Sequence, residues 1–362
     1  MNDVKFGVLL GDLTMSATQV VQLGPQVEKW GYDAIWMADH LVDIDGAVAD
    51  PYALFGYLAA LTERVFFCAA VSDCQRIHPA KMAHMIATLD EISNGRVGLG
   101  IGAGEAMSTV PFGLPFEDDA KIRLARLREY IEVVKLLWAS SAQAPVNFSG
   151  SHYSLDNAWL DQKPRQQPHP PVHVGALGSY EALRITAELA DGWQPFFSTP
   201  GYYRKRLDYL RKHAATCGRD PDSIEPSVWV YLVITDDTKL AEDTLRELAI
   251  FCIAERGSLK HAGYDMSKLP SRDYHFARLL VDDHEKIDVL VKAAADIPLE
   301  LVKKMHAVGT VEEIKQFFQG HIDAGVGHFI INPCASPDPA ATLECFSREV
   351  MPELRRVNAS KG

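Results

Sequence analysis

The sequence predicts an α/β fold, a (β/α)8 TIM barrel with insertions, and three observations support this prediction. Short apolar segments alternate with longer amphipathic segments along most of the 362 residues. The alternation yields eight strand candidates, each followed by a helical stretch, which is the pattern of parallel βα units. The first turn, residues 9–13, contains a single glycine and so lacks the glycine fingerprint of an open dinucleotide-binding sheet.

The first four predicted strands and their helices lie in the N-terminal part of the chain. The apolar runs predict strands over residues 4–10, 34–38, 65–71 and 97–101. The amphipathic runs predict helices over residues 17–30, 51–61, 79–92 and 119–139. The third of these helices begins at Pro79, a position where a helix tolerates proline.

The remaining four units are spread over the C-terminal half. Strands are predicted over residues 172–174, 192–194, 227–234 and 328–332. Helices are predicted from residue 179, over 202–217 and over 339–354. With the first four, these strands complete the eight that a barrel requires.

Two segments do not fit a minimal βα unit. Residues 140–171 are polar and proline-rich, and a hairpin is expected around 146–148 and 152–154. Residues 240–302 are mainly helical and precede the last strand. We expect a single barrel domain over residues 1–362, with both insertions near 140–171 and 240–302 positioned to cover the barrel mouth.

Composition excludes several classes of protein. Hydrophobic residues make up 47% and charged residues 23%, as in ordinary soluble globular proteins, and no apolar run is long enough for a membrane span. The net charge of −12 disfavours a nucleic-acid partner. The six cysteines form no C-x-x-C pair and the N-terminus resembles no secretion signal, so we expect reduced thiols and a cytoplasmic protein. The histidines are scattered, and no metal site is expected.

Asp39 and His40 directly follow the second predicted strand. Barrel enzymes carry their chemistry at the C-terminal ends of strands, and histidine can move a proton near neutral pH. Asp39 could orient the histidine or accept a hydrogen bond from a ligand. From the spacing alone, a helix-capping aspartate beside a structural histidine fits equally well.

Glycines and polar residues follow two further strands. Gly100, Gly102 and Gly104 alternate at the end of the fourth strand, and Glu105 comes next. Small residues let the chain approach a flat ligand, and Glu105 is expected to project into the mouth. Gly178 and Ser179 open the fifth helix, where free N–H groups bind phosphate, although Ser179 fits a simple helix cap as well.

Three segments resemble the bacterial luciferase-like superfamily: residues 69–73, the helix start at residues 78–80, and residues 90–105. More narrowly, they resemble its deazaflavin branch, which includes methylenetetrahydromethanopterin reductase, a deazaflavin-dependent glucose-6-phosphate dehydrogenase, a secondary alcohol dehydrogenase and phthiodiolone ketoreductases. The resemblance runs from Lys5 to Leu354. It implies the same barrel with insertions and the cofactor coenzyme F420, an 8-hydroxy-5-deazaflavin.

The resemblance also implies roles for the residues at the strand ends. Asp39 would contact the deazaflavin ring, His40 would transfer a proton beside the hydride-accepting carbon, and Glu105 would be the second acid–base group. A bulge with a cis peptide bond between Ala70 and Val71 would support the back of the ring. The other implied cofactor contacts are Ser72, Asp73, Ala103, Gly104 and, at the coenzyme phosphate, Gly178 and Ser179.

The expected function is that of a coenzyme F420-dependent oxidoreductase. It would transfer a hydride between the deazaflavin and a carbonyl, alcohol or imine-like carbon of a small organic substrate. The alternative is an FMN-dependent luciferase-like monooxygenase, since FMN has a similar ring. FMN enzymes of the superfamily usually continue the glycine motif with tryptophan, whereas Glu105 and Ala106 follow it here, which favours the deazaflavin. A non-catalytic cofactor carrier on the same barrel is a third reading, which the intact acid and histidine positions disfavour.

The expected partners are the small-molecule substrate and a second copy of the chain in a homodimer, with no nucleic acid and no membrane span. The substrate itself stays open, because different segments resemble different enzymes of the branch. The resemblance implies that the glucose-6-phosphate enzyme has a tryptophan shortly after its histidine and a lysine that binds phosphate. Neither has a clear counterpart here, after His40 or near residues 197–199, so a sugar phosphate substrate is disfavoured.

Overall fold

The strands run parallel in one sheet, apart from a separate antiparallel hairpin. A computed structural model describes residues 4–11, 15–42, 49–176 and 179–359. The strands in these residues are β1 (Lys5–Leu10), β2 (Ala34–Met37), β3 (Phe66–Ala69), β4 (Ser72–Asp73), β5 (Leu99–Gly102), β6 (Val146–Ser149), β7 (Ser154–Ala158), β8 (Val172–Val174), β9 (Gly192–Trp193), β10 (Glu225–Ile234), β11 (Ala307–Gly309) and β12 (His328–Asn332).

The main sheet closes on itself. Its strand order is β3-β2-β1-β12-β10-β9-β8-β5-β4, and each neighbouring pair is parallel. Strands β3 and β4 are separated by a cis peptide bond between Ala70 and Val71 and occupy one position in the barrel. A parallel bridge from Phe67 to Val97 joins that position to β5. Eight barrel positions result, and the predicted (β/α)8 barrel is confirmed.

Helices follow the barrel strands and surround the sheet. They are α1 (Ala17–Lys29), α2 (Pro51–Ala59), α3 (Pro79–Ile92), α4 (Ala120–Ala139), α5 (Tyr180–Leu189), α6 (Pro200–Thr216), α7 (Thr238–Cys252), α8 (Arg256–His261), α9 (His284–Ala295), α10 (Leu299–Val302), α11 (Val311–Asp323), α12 (Pro339–Cys345) and α13 (Met351–Ala359). A π-helical turn, Phe346–Val350, lies between the last two, where one continuous helix was predicted.

Two features of the sheet differ from the prediction. The third strand was predicted as continuous over residues 65–71, but it is interrupted before Val71, and pairing resumes at Ser72. A short strand, β11, was not predicted, because three apolar residues after a helical segment give little signal; it pairs in parallel with the end of β10. The expected hairpin is confirmed by β6 and β7. The segment 240–302 contains most of α7 together with α8, α9 and α10.

Large buried side chains fill the barrel interior. Trp36 is fully buried there, and Gly7 on β1 leaves the space it needs, since a Cβ at Gly7 would lie 2.4 Å from the indole nitrogen. At the strand starts, Glu225 binds Lys5 and His328, each at 2.6 Å. These residues hold together the end of the barrel where the strands begin, opposite the C-terminal strand ends.

The cysteines and helices agree with the compositional reading. None of the six cysteines is in a disulfide, and Cys68, Cys74 and Cys252 are buried. Within the described ranges, no helix combines the length and apolar character needed to cross a bilayer.

Candidate active site

A cavity of about 2230 Å³ lies at the C-terminal ends of the barrel strands. This is the end of a barrel where active sites are found. The strand ends supply one wall, and the insertion after β10 supplies much of the opposite wall. The predicted site residues that line it are Asp39, His40, Ala70, Val71, Ser72, Asp73, Ala103, Gly104, Glu105 and Ser179.

His40 and Glu105 form a hydrogen-bonded pair on the cavity wall. The His40 Nδ1 lies 2.7 Å from Glu105 Oε1, and the Ser108 hydroxyl lies 3.4 Å from the same nitrogen. The two side chains come from the ends of β2 and β5, which are far apart in sequence. Their side chains are 22% and 28% exposed, so both can reach a molecule in the cavity.

The pKa of Glu105 lies below its usual value. Burial alone would raise this pKa, but the His40 ring, Arg76 and His275 together outweigh burial and lower it. The carboxylate is therefore ionised at neutral pH and accepts the Nδ1–H of His40. This arrangement fixes the ring and stabilises a positive charge on it.

Arg76 binds two carboxylates behind the strand ends. Its side chain is 8% exposed, its Nη2 lies 3.1 Å from Asp39 Oδ1, and its Nε donates to Asp73 Oδ2. The guanidinium is therefore buried between Asp39 and Asp73. Asp73 also accepts the backbone N–H groups of Gln75 and Arg76 at 2.7 and 2.9 Å.

Asp39 keeps one oxygen without a partner. Its Oδ2 is buried and accepts no hydrogen bond from any described residue. A buried carboxylate oxygen normally has a donor, because desolvation without a hydrogen bond costs roughly 1–3 kcal/mol. Since Asp39 lines the cavity, a bound molecule with an N–H or O–H group can supply that donor.

The cis bulge at Ala70 and Val71 lines the cavity. The Val71 side chain lies against Gly102 and Gly175, and a Cβ at either glycine would come within 2.9 Å of it. Gly100, by contrast, lies against the carbonyl oxygen of Ala69, which a Cβ would approach to 1.8 Å. The missing side chain of Gly100 therefore lets β5 pack closely against β3. Gly102 and Gly104 both line the cavity.

The start of α5 forms another part of the wall. Ser179 caps this helix, its hydroxyl accepting the Ala182 N–H at 3.3 Å, and it also lines the cavity. The buried Arg206 guanidinium lies 4.5 Å from the Tyr180 ring centre, which places a positive charge beside this helix start. Gly178, the predicted partner of Ser179, lies outside the described residues.

The second insertion approaches the strand ends directly. The Ala106 N–H donates to the Ala277 carbonyl at 2.9 Å, which joins the loop after β5 to the short turn Phe276–Arg278. His275 and Phe276 from this segment line the cavity. The sequence did not single out His275 or Phe276, because the insertion carries no recognisable motif. It did not single out Arg206 on α6 either.

One cluster has the geometry of a metal site, and it lies outside the cavity. Glu188, His213 and Cys217 bring three ligand atoms within 4.8 Å of one another, the only such group among the described residues. Arg128 already binds Glu188 at 2.6 Å, and His213 binds it at 3.0 Å, so ion pairing accounts for this cluster. The expectation that the protein needs no metal stays a prediction.

Comparison with known proteins identifies the family. The model of the luciferase-like monooxygenase family matches residues 4–328, most of the chain. The chain belongs to this family. The predicted membership in the luciferase-like superfamily is confirmed.

Relatives of this luciferase-like protein carry F420 in their names. An F420-dependent glucose-6-phosphate dehydrogenase of Kineococcus radiotolerans is 28% identical over 341 residues, covering 91% of each chain. The structure of an F420-dependent secondary alcohol dehydrogenase with an F420-acetone adduct has a TM-score of 0.83 at 23% identity, covering 97% of this chain and 99% of the other. The structure of the coenzyme F420-dependent tetrahydromethanopterin reductase of Methanopyrus kandleri has a TM-score of 0.80 at 20% identity, with the same coverage of both chains. At these identities the two structures establish the fold.

Proposed function

We propose that this protein is a coenzyme F420-dependent oxidoreductase. It moves a hydride between the deazaflavin and a carbonyl, alcohol or imine-like carbon of a small organic substrate. The observation that carries the proposal is the pair of His40 and Glu105, 2.7 Å apart on the wall of the cavity at the barrel mouth. Relatives aligned over nine tenths of the chain are named as F420-dependent, which supports the same coenzyme here.

The residues of the cavity wall fit a flat deazaflavin. The bulge at Ala70 and Val71 offers a surface for the ring, and the unpartnered Oδ2 of Asp39 offers an acceptor for a ring N–H or O–H group. The remaining contacts are proposed for Ser72, Asp73, Ala103, Gly104 and Glu105. When bound, the deazaflavin supplies the hydride-accepting and hydride-donating carbon.

In this proposal the proton is moved by the chain's own residues. His40 gives a proton to the substrate oxygen or nitrogen, or takes one from it, as the hydride is transferred. Glu105 holds the imidazole through Nδ1 and stabilises its charged form. Arg76 keeps Asp39 in position from behind.

The coenzyme phosphate is proposed to bind at the start of α5. Ser179 and Tyr180, at the start of this ten-residue helix, line the cavity, and the nearby Arg206 adds positive charge. Gly178 belongs to the same proposal from the sequence alone.

The oligomeric state and the cellular location of the protein are also proposals. We propose a homodimer, because large apolar side chains are exposed on neighbouring helices, among them Tyr57 at 57% and Ile92 at 58%. The absence of disulfides and the acidic net charge support a cytoplasmic protein without a nucleic-acid partner. Light scattering on the purified protein tests the dimer.

Turnover assays test the proposed chemistry. Oxidised F420 is mixed with the protein and a panel of alcohols, sugar phosphates and reduced imines, and loss of the deazaflavin absorbance is followed. Reduced FMN with oxygen and the same panel tests the alternative, an FMN-dependent monooxygenase. Reduction of F420 without oxygen uptake supports the proposal. Substrate-dependent oxygen uptake with FMN, together with no reduction of F420 by any substrate, contradicts it.

The role of His40 has its own test. His40→Ala should lower turnover at least about a hundredfold, which is the usual contribution of general acid–base catalysis. The dissociation constant for F420 should stay within about threefold of wild type. Unchanged turnover removes His40 from the mechanism.

A further inference from the structure

Three side chains of the kinds that bind metals meet outside the cavity, where α5 and α6 end. Glu188 lies in the last turn of α5, His213 lies in the last turn of α6, and Cys217 caps the end of α6. Their ligand atoms, a carboxylate oxygen, a ring nitrogen and a thiol sulfur, all lie within 4.8 Å of one another. The three residues do not line the cavity, so the group is separate from the proposed site of hydride transfer.

The ion pairs of Glu188 explain the position of two of these groups but not of the third. Arg128 binds one carboxylate oxygen of Glu188 at 2.6 Å, and His213 binds the other at 3.0 Å. The Cys217 sulfur takes no part in these ion pairs, yet it lies 3.7 Å from Nε2 of His213. His213 and Cys217 are four positions apart at the end of one helix, which places both side chains on the same face. Ion pairing therefore gives the thiol no role.

The distances in the group match the edges of a tetrahedral zinc site. Zinc binds nitrogen and oxygen at about 2.0–2.2 Å and sulfur at about 2.3 Å. In a tetrahedron with these bond lengths, a nitrogen and an oxygen ligand lie roughly 3.4 Å apart, and a nitrogen and a sulfur ligand roughly 3.6 Å apart. The corresponding distances here are 3.0 Å and 3.7 Å, so small movements of the side chains are enough to admit the ion.

The chemistry of the three ligands selects zinc among the common divalent ions. A thiolate and an imidazole suit Zn²⁺, whereas Mg²⁺ and Ca²⁺ prefer sites built from oxygen. The thiolate and the carboxylate together balance the charge of Zn²⁺. Arg128 orients the carboxylate of Glu188, as the outer partners of metal ligands do, and Glu132 lies 3.9 Å from Arg128 and balances its charge.

We propose that Glu188, His213 and Cys217 bind a Zn²⁺ ion, with water as the fourth ligand. Binding releases the thiol proton and any proton on the ring nitrogen of His213, so the affinity should rise with pH. The role of the ion is structural, because it ties the end of α5 to the end of α6. The site has no part in turnover, and the inference does not depend on the proposed function.

The test measures zinc binding by the full chain after bound metal has been removed with a chelator. Zn²⁺ is titrated by calorimetry, and Co²⁺ is used as a coloured substitute, because a bond between Co²⁺ and a thiolate gives a charge-transfer band in the near ultraviolet. Cys217→Ser and His213→Ala each remove one ligand. The matched control is Cys345→Ser, which changes a partly exposed cysteine on α12. His40→Ala controls for zinc that binds in the cavity.

The expected result is one Zn²⁺ per chain, with a micromolar or tighter dissociation constant, and a Co²⁺–thiolate band. Each ligand variant should bind Zn²⁺ at least about tenfold more weakly, because even the loss of an outer partner has an effect of that size. Cys217→Ser should lose the band. Zn²⁺ should raise the Tm of the wild type but not that of Cys217→Ser, because the ligands of the two helices meet only in the folded chain. Cys345→Ser and His40→Ala should bind Zn²⁺ like the wild type.

Several results would overturn the proposal. They are the absence of saturable Zn²⁺ binding to the wild type, a Co²⁺ complex without the thiolate band, and equal binding by Cys217→Ser. Loss of Zn²⁺ binding in His40→Ala or Cys345→Ser would place the ion elsewhere and overturns the proposal too. These titrations contain no F420, so the zinc site can fail while F420 turnover is retained, and the proposed function can fail while zinc binds.

Discussion

Replacing Glu105 by glutamine isolates the contribution that the carboxylate charge makes to the contact with His40. Glutamine keeps the shape and an acceptor oxygen but removes the charge that holds Nδ1 at 2.7 Å. A hydrogen bond to a charged group contributes about 1.5–3 kcal/mol, and a neutral one about 0.5–1.5 kcal/mol. The pair is less than one third exposed, so solvent screening is limited. A loss of about 1–2 kcal/mol at the transition state predicts a fall in kcat of roughly 5- to 30-fold.

The assay compares kcat and F420 affinity in the same preparations. Glu105→Gln should lower kcat while the dissociation constant for F420 changes by less than about threefold. Because the pKa of Glu105 is lowered, its acid limb in the wild-type pH profile should lie below pH 4.5, the usual value. Glu247→Gln, the same change on the same cavity, is the control. Wild-type kcat in Glu105→Gln, or equal losses of kcat and affinity, refutes the role given to the pair.

Three further predictions concern buried charges. Arg76→Ala leaves Asp39 and Asp73 uncompensated and should cost about 3–5 kcal/mol in the free energy of unfolding, together with at least about tenfold in F420 affinity. Glu225→Gln should cost about 2–4 kcal/mol at pH 7 without changing F420 affinity, because it lies at the other end of the barrel. Burial alone would raise the pKa of Glu225, but His328 and other cations hold it well below 4.5. The wild type should therefore lose this stabilisation as the pH falls below about 4.5, and Glu225→Gln should not. Burial raises the pKa of Glu255 from 4.5 to about 7, so the folded state holds this proton more tightly than the unfolded chain. The free energy of unfolding should then fall by about 3 kcal/mol as the pH rises from 4.5 to above about 7, and Glu255→Gln should lack that fall. Urea unfolding at several pH values and F420 titrations check all three, and parallel pH curves for variant and wild type would contradict the last two.

Most of the barrel was predictable because strand and helix periods are local properties of the sequence. The strands at residues 172–174 and 328–332 were predicted with the bounds that the structure has. The break before Val71 was not visible in the apolar pattern, which runs through it, and entered only with the resemblance to known enzymes. Strand β11 has three residues and depends on its pairing with β10, a contact that no local pattern encodes.

The site was predictable where it follows strand ends. Asp39, His40 and Glu105 each follow a strand that was recognised, so their convergence follows from barrel geometry. The burial of Arg76 could not be predicted from the sequence, because it depends on two carboxylates from different strands. His275 and Arg256 come from an insertion whose path across the cavity depends on tertiary contacts such as Ala106 to Ala277.

The central claim is that the cavity binds a deazaflavin rather than FMN. Cofactor-free protein is titrated with oxidised F420 and, separately, with FMN, and the fluorescence of each is followed. Micromolar or tighter binding of F420, with FMN at least about a hundredfold weaker, is the predicted result. Tighter binding of FMN would contradict the claim and would favour oxygen chemistry in this cavity.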